Sequence, residues 1–177
     1  HVVTRLPVLD LGIRPDVSQD EWSLEVGGQV ENPTVLLWED FQALPHVRMV
    51  DDFHCVTGWS KLDVAWRGVP LSEVLKLVRP REGVAAVIFE SRDGYSANVA
   101  YAEVKENDAL LADELEDQPL PLEHGGPVRV VIPYLYAWKS AKFLSRIRFE
   151  LRDEPGYWEI RGYHNHGDPW KEERFAS

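Results

Sequence analysis

Apolar and polar residues alternate from Trp22 to Val30, so this segment is expected to form a strand that ends near Gly27-Gly28. Val35 to Trp38 is a short apolar run, and Trp38-Glu39-Asp40-Phe41 reads as a brief helix closed before Pro45. Leu71, Val74, Leu75 and Val78 recur at helical spacing between Pro70 and Pro80, which predicts one amphipathic helix. Residues from Val84 to Phe89 predict a buried strand, Arg92-Asp93-Gly94 a turn, and Ser96 to Tyr101 another strand. Ala109 to Leu115 fits either strand or helix. Val128 to Ile132 reads as a strand stopped by Pro133, and Ile147, Phe149 and Leu151 share one face of a further strand. Many short strands and a few short helices make an α+β, sheet-dominated domain. No repeat, low-complexity tract or long Gly/Ser linker divides residues 1–177, so one domain is expected, with 156–177 as a tail wrapped over its surface.

Composition sharpens this picture in two places. Among 177 residues there are seven tryptophans, six tyrosines and six phenylalanines, more than a generic core needs, so some should line a cavity or an interface. The formal net charge of −11 argues against non-specific binding to nucleic acid or an anionic membrane, and no stretch is apolar for long enough to span one. The charge is also segregated. Glu103 to Glu123 holds eight acids against Lys105, whereas His124 to Phe149 holds no acid and five bases, Arg129, Lys139, Lys142, Arg146 and Arg148. A strongly acidic chain that clears one stretch of carboxylates creates a surface that favours anions.

Cys55 is the single cysteine, so an internal disulfide and a multi-cysteine zinc cage are both excluded. A lone thiol can be a small buried hydrophobe, a nucleophile, a redox group or one soft ligand to a metal. The second conspicuous stretch is Gln118-Pro-Leu-Pro-Leu-Glu-His124-Gly-Gly-Pro-Val-Arg129. Its prolines stiffen the approach, its glycines permit close backbone contact, and Arg129 opens a buried strand. A buried guanidinium needs an anion, which could be a phosphate or one of the chain's own carboxylates. Lys139-Ser140-Ala141-Lys142 offers two ammonium groups and a hydroxyl beside a small residue, which suits a phosphate or simply a surface turn.

These residues together resemble the sulfite oxidase superfamily. Gln118-Pro-Leu-Pro, His124-Gly-Gly-Pro-Val-Arg129 and Lys139-Ser-Ala-Lys142 are similar to its pterin-cradling segment. Phe53-His54-Cys55-Val56, with Trp59-Ser60, resembles the cysteine segment of the bacterial branch that includes the methionine-sulfoxide reductase catalytic subunit. The closing Gly162-Tyr-His-Asn165 and Gly167-Asp-Pro-Trp170 resemble small bacterial sulfite oxidase-like oxidoreductases. The resemblance implies a molybdopterin-binding fold of mixed sheets, molybdopterin carrying molybdenum, and two-electron oxygen-atom transfer. It implies Cys55 as the thiolate on the metal and the catalytic residue, with Ser91, His124, Arg129, Ser140, Ala141, Lys142 and Asp10 around the cofactor. The family's substrate arginine after the cysteine is absent; Trp59-Ser60-Lys61 stands in its place. Reduction of an S- or N-oxide is therefore favoured over sulfite oxidation, with Lys61, Trp59, Tyr136 and Trp138 shaping the substrate pocket. The substrate would be a small molecule or a methionine sulfoxide, and electrons would come from a separate partner.

Two alternatives belong to other classes: a molybdopterin-binding module without turnover, and a hydrolase using Cys55 with a nearby histidine. His164-Asn-His166-Gly-Asp168 has the residue types of a metal site, although such histidines are commonly packing residues. The free thiol leans towards a cytoplasmic setting; the opening at His1 rather than Met leaves a removed leader and a periplasmic setting as the alternative.

Overall fold

The structure, a computed structural model, describes residues 1–176. In chain order its elements are β1 (Ser23–Gly28), β2 (Thr34–Leu37), α1 (Trp38–Ala43), β3 (Val47–His54), β4 (Ser60–Pro70), α2 (Leu71–Val78), β5 (Ala86–Ser91), β6 (Ser96–Ala100), α3 (Tyr101–Asn107), β7 (Leu110–Leu115), β8 (Gln118–Pro119), β9 (Arg129–Val131) and β10 (Leu144–Glu150). They form two sheets, the first mixed and the second antiparallel. The first has the order β2-β1-β10-β5-β6; the second runs β3-β4-β7-β8, with β9 also paired to β7. β1 lies parallel to β10, and every other pairing is antiparallel.

The largest apolar cluster joins both sheets. Leu24, Val26, Val87, Phe89, Ile147 and Phe149 come from the first, Val69, Leu111 and Val130 from the second, and Leu71, Val74 and Val78 from α2. A second cluster lies on the opposite face of the second sheet and holds Phe53, Cys55, Trp59, Trp66, Leu110, Ala112 and Val131. Neighbouring residues of β7 and β9 thus enter different clusters. A strand buried on both faces loses its apolar–polar alternation. That is why Ala109 to Leu115 reads equally as helix or strand; it is a strand.

Most predicted elements are present with small shifts in boundary. β3 and β4 have no counterpart in the pattern of the sequence, although β4 is the longest strand, at 11 residues. Asp51, Asp52, Lys61, Asp63 and Arg67 interrupt the apolar periodicity there, and the ladders shift register between Asp51 and Phe53 and between Arg67 and Gly68. A bulge moves every later side chain to the other face, so a period-two pattern cannot survive it. Gly68 is required at the second shift, because a Cβ there would lie 2.0 Å from the carbonyl oxygen of Leu111. α3 is likewise unheralded, since Tyr101 reads as the end of a strand.

The tail from Gly156 to Ala176 consists of turns, with one isolated bridge between Tyr163 and Phe175. It is fastened to the first sheet by Asn165, whose amide Oδ1 accepts from Asn98 (2.8 Å) and whose Nδ2 donates to Asp153 (2.6 Å). His166 adds a contact to Glu103 of α3 at 2.8 Å.

A cationic cavity beside Cys55

The β3–β4 connection, the turn after β5, the segment after β9 and the tail meet around a cavity of about 300 Å³. Its lining includes Cys55, Thr57 and Trp59 from the first of these, Asp93 and Tyr95 from the second, Trp138, Ser140 and Lys142 from the third, and Trp158 and Tyr163 from the tail. Leu6, Pro7, Leu9, Asp10 and Leu11 also line it, as does Arg129. The volume is that of a site for a small cofactor or ligand.

Cys55 is 6% exposed. Its loop is a tight turn in which Cys55 N–H donates to Trp59 O (2.9 Å) and Gly58 N–H to Cys55 O (3.0 Å). The sulfur sits 3.1 Å from the Thr57 hydroxyl. His54 turns elsewhere, to the Ser60 hydroxyl at 2.8 Å, as expected for adjacent positions on a strand. No histidine is among the lining residues, so a cysteine hydrolase would lack its base there.

Arg129 is fully buried, and no carboxylate lies within ion-pair distance of it among the described residues. Its guanidinium donates to the carbonyls of Val130 (3.2 Å), His124 (3.0 Å) and Ser140 (2.9 Å). The rings of Phe53 and Trp66 each lie 5.3 Å from it. Burial depresses its pKa to about 10. The sequence left a phosphate and a carboxylate equally open as its partner; the chain supplies no carboxylate.

Lys142 is the second cation of the cavity. It donates to the carbonyls of Leu9 and Glu123, both at 2.7 Å. Desolvation first, then the Arg129 charge, bring its pKa down to about 8. Gly125 makes this placement possible: at φ +105° it is in a glycine conformation, and a Cβ there would lie 2.8 Å from the Lys142 stem. The carbonyl of Ala141 accepts from Val130 N–H (2.8 Å) and that of Val128 from Leu144 N–H (2.9 Å), so residues 139–142 run beside β9. The Ser140 hydroxyl accepts from Ile132 N–H at 2.9 Å, which leaves its own proton free for the cavity.

Of the five bases between His124 and Phe149, the other three find carboxylates. Arg146 pairs with Glu25 (2.9 Å), Arg148 with Glu90 (2.7 Å), and Lys139 with Glu159 (2.7 Å). The reading of Lys139 as a phosphate ligand is therefore corrected. It is 0% exposed, and its ammonium also donates to the Asn98 carbonyl at 2.8 Å. Residues 137–139 form a 3₁₀ turn, which carries positions 139 and 142 to different surroundings.

Two further expected residues carry buried polar atoms without a partner: the Ser91 hydroxyl oxygen and His124 Nδ1. Neither lines the cavity, and each belongs to a segment that does or that contacts Arg129. Desolvation and the two nearby cations hold His124 below the usual histidine pKa. Asp10 lies at the cavity edge and is claimed by Arg14 (2.7 Å) and Gly12 N–H (2.8 Å), which lower its pKa.

Of the expected substrate-pocket residues, Trp59 and Trp138 line the cavity. Tyr136 does not; it stacks behind Trp138 at a ring separation of 5.2 Å, and its hydroxyl is buried without a partner. Lys61 does not line it either. It pairs with Phe53 across the ladder, and its ammonium lies 3.4 Å from the carbonyl of its neighbour Leu62. The sequence reading missed Asp93, Tyr95, Trp158 and Tyr163. Asp93 looked like simple turn chemistry, yet burial raises its pKa and only Tyr95 N–H (3.1 Å) and its own backbone answer it. The tail aromatics were visible as a composition bias but gave no sign of which would turn inwards.

His164, His166 and Asp168 lie outside the cavity lining. His166 is taken at Nδ1 by Glu173 (2.9 Å) and at Nε2 by Glu103 (2.8 Å), so these groups fasten the tail.

Comparison with known proteins places this geometry. A family model described as an oxidoreductase molybdopterin binding domain matches residues 11–158. The uncharacterized oxidoreductase YuiH of Bacillus subtilis is 40% identical over 177 residues, covering 99% of this chain and 89% of that one. The methionine-sulfoxide reductase catalytic subunit MsrP of Burkholderia mallei is 34% identical over 165 residues, and the match spans 82% of this chain but 49% of that protein. The chain thus covers about half the length of such reductases. Among solved structures, the sulfane dehydrogenase SoxCD of Paracoccus pantotrophus superposes with a TM-score of 0.71 at 20% identity, over 78% of this chain and 40% of that one, a likeness of fold. The chain belongs to the oxidoreductase molybdopterin-binding domain family, in the sulfite oxidase-like superfamily, and is an oxidoreductase whose cofactor is molybdopterin.

Proposed function

We propose that the cofactor carries molybdenum, that Cys55 is its protein ligand, and that the enzyme reduces an S- or N-oxide. The residues present fit such a group. A dianionic phosphate ester suits a cavity whose two cations, Arg129 and Lys142, form no ion pair among the described residues, with Asp10 and Asp93 in the same lining acting on Lys142 only from beyond ion-pair distance. The Ser140 proton adds hydrogen-bonding capacity to that end, and the unpartnered Ser91 hydroxyl and His124 Nδ1 lie just outside the lining, on segments next to it. A single buried thiol is the soft ligand that molybdenum favours. When bound, the metal centre supplies two-electron oxygen-atom transfer; the protein supplies position and charge.

The direction of the reaction rests on one observation. Apart from Arg129 and Lys142, no residue lining the cavity is a cation, and four aromatic residues share the lining with Cys55: Trp59, Trp138, Trp158 and Tyr163. Sulfite is an anion and would call for a further cation, whereas a sulfoxide is neutral and dipolar. Reduction consumes two electrons and two protons and yields a sulfide and water. The similarity to methionine-sulfoxide reductase subunits supports a methionine sulfoxide, free or within a peptide, as the substrate. The electrons would come from a separate donor protein, and the cytoplasm is the setting that a free thiol fits best.

The test is turnover of molybdenum-loaded protein with a reduced viologen as donor. Oxidation of the dye on addition of methionine sulfoxide or dimethyl sulfoxide, with none on addition of sulfate, supports the reading. Electron release from sulfite to an acceptor, with no sulfoxide turnover, reverses the direction.

A further inference from the structure

The last residues of the tail return to the outside of the cysteine loop. The carbonyl of Val56, the residue that follows Cys55, takes no backbone N–H among the described residues. Arg174 Nη1 donates to it across 118 positions of sequence. The same guanidinium lies over the ring of Tyr136 at 5.1 Å. No carboxylate of the described residues pairs with Arg174, although the chain has 30 acidic residues. Neighbouring Glu173 is occupied by His164 and His166, each at 2.9 Å.

The loop from Cys55 to Trp59 is otherwise held by two backbone hydrogen bonds, by the His1 ammonium, which donates to the Gly58 carbonyl, and by the contact of the Cys55 sulfur with the Thr57 hydroxyl; none of these engages the Val56 carbonyl. A hydrogen bond from a charged donor to a half-buried carbonyl is directional and strong enough to orient the peptide that follows Cys55. The clamp has a firm base. Arg174 follows Glu173, and the tail is tied to α3 and β6 through His166 with Glu103 and Asn165 with Asn98. Trp170 adds an edge contact to His54, immediately before Cys55, at 5.2 Å.

We infer that Arg174 is a positioning residue for Cys55, fixing the direction of the thiol by holding the Val56 carbonyl from the anchored tail. The inference rests on the reading of Cys55 as the reactive sulfur of the site. It does not require molybdenum to be present.

Alkylation of Cys55 by iodoacetamide in cofactor-free protein tests it, with Arg174→Met, Arg174→Gln and Arg174→Lys compared with the parent at one pH. Loss of a charged hydrogen bond should speed alkylation of the Met and Gln variants about tenfold. Lys, which restores a charged donor, should return the rate most of the way. In molybdenum-loaded protein of equal cofactor content, Arg174→Met should alter the paramagnetic Mo(V) spectrum and lower kcat while KM stays near its parent value. Should Arg174→Met fail to fold, the Gln variant decides. Parent rates of alkylation in the folded Met or Gln variant, together with an unaltered spectrum, overturn the inference. Altered alkylation without any molybdenum binding would leave Arg174 in its role and defeat the metal assignment instead.

Discussion

Arg129 and Lys142 face one cavity, each bound only to carbonyl oxygens, and the charge of the first helps to lower the pKa of the second. Two cations so placed destabilise the empty protein and stabilise a dianion. The opposing signs separate their role from ordinary packing.

Arg129→Met should therefore affect the empty and the loaded protein unequally. Removing the buried charge relieves its desolvation, while the carbonyls of Val130, His124 and Ser140 lose their donor, so the two terms offset and the stability of the cofactor-free protein should change by no more than about 1–3 kcal/mol. Retention of the pterin should fall by about a hundredfold, the worth of one charged, bidentate contact. Melting curves of the empty protein and fluorimetry of the oxidised pterin released from the loaded one measure both effects. A folded variant that retains the pterin as well as the parent contradicts this role.

Stability should also depend on pH in the empty protein. The pKa of Lys142 is lowered from the ordinary 10.5 to about 8 in the folded chain. Between those values the unfolded chain binds the proton and the folded chain does not, so stability rises with pH through this window. Below about pH 8 both states are protonated and the penalty is fully present. Cofactor-free protein should melt at a higher temperature at pH 10 than at pH 8 relative to Lys142→Gln, in which the rise is reduced. Affinity for an anion should show the reverse trend and weaken as pH climbs past about 8.

Lys139 and Lys142 should part company on substitution. Lys139→Ala leaves Glu159 as a buried charge without its partner and should cost about 3–5 kcal/mol of stability. Lys142→Gln should spare the fold and weaken cofactor retention. Urea titration paired with pterin quantification distinguishes the two.

Ser91→Ala removes a hydroxyl that has no partner in the empty protein. Stability of the cofactor-free form should change by no more than about 0.5 kcal/mol. If that hydroxyl meets the cofactor, retention should fall roughly threefold to tenfold, the range for one neutral hydrogen bond. Equal retention in parent and variant would remove Ser91 from the site.

The sequence reached the local parts of this architecture. α2 could be read because its stripe of Leu71, Val74 and Val78 and both bounding prolines lie within one short window. Cys55, Arg129 and Lys142 could be named because they stand in motifs that resemble the family's; local pattern alone left a buried thiol, a carboxylate partner and a surface turn open. What escaped depends on contacts between distant segments. β3 and β4 are held by pairing across two register shifts. Lys139 differs from Lys142 through Glu159, twenty residues further on, and Asn98, forty-one residues back. Asp93, Trp158 and Tyr163 enter the cavity because of how the β5–β6 turn and the tail are folded back, which no local pattern encodes.

The most direct measurement is X-ray absorption at the molybdenum edge, comparing loaded parent protein with Cys55→Ala. The parent should show one more sulfur neighbour at bonding distance than the variant, with pterin content unchanged. An identical sulfur count in the two proteins would mean that Cys55 is not bonded to the metal.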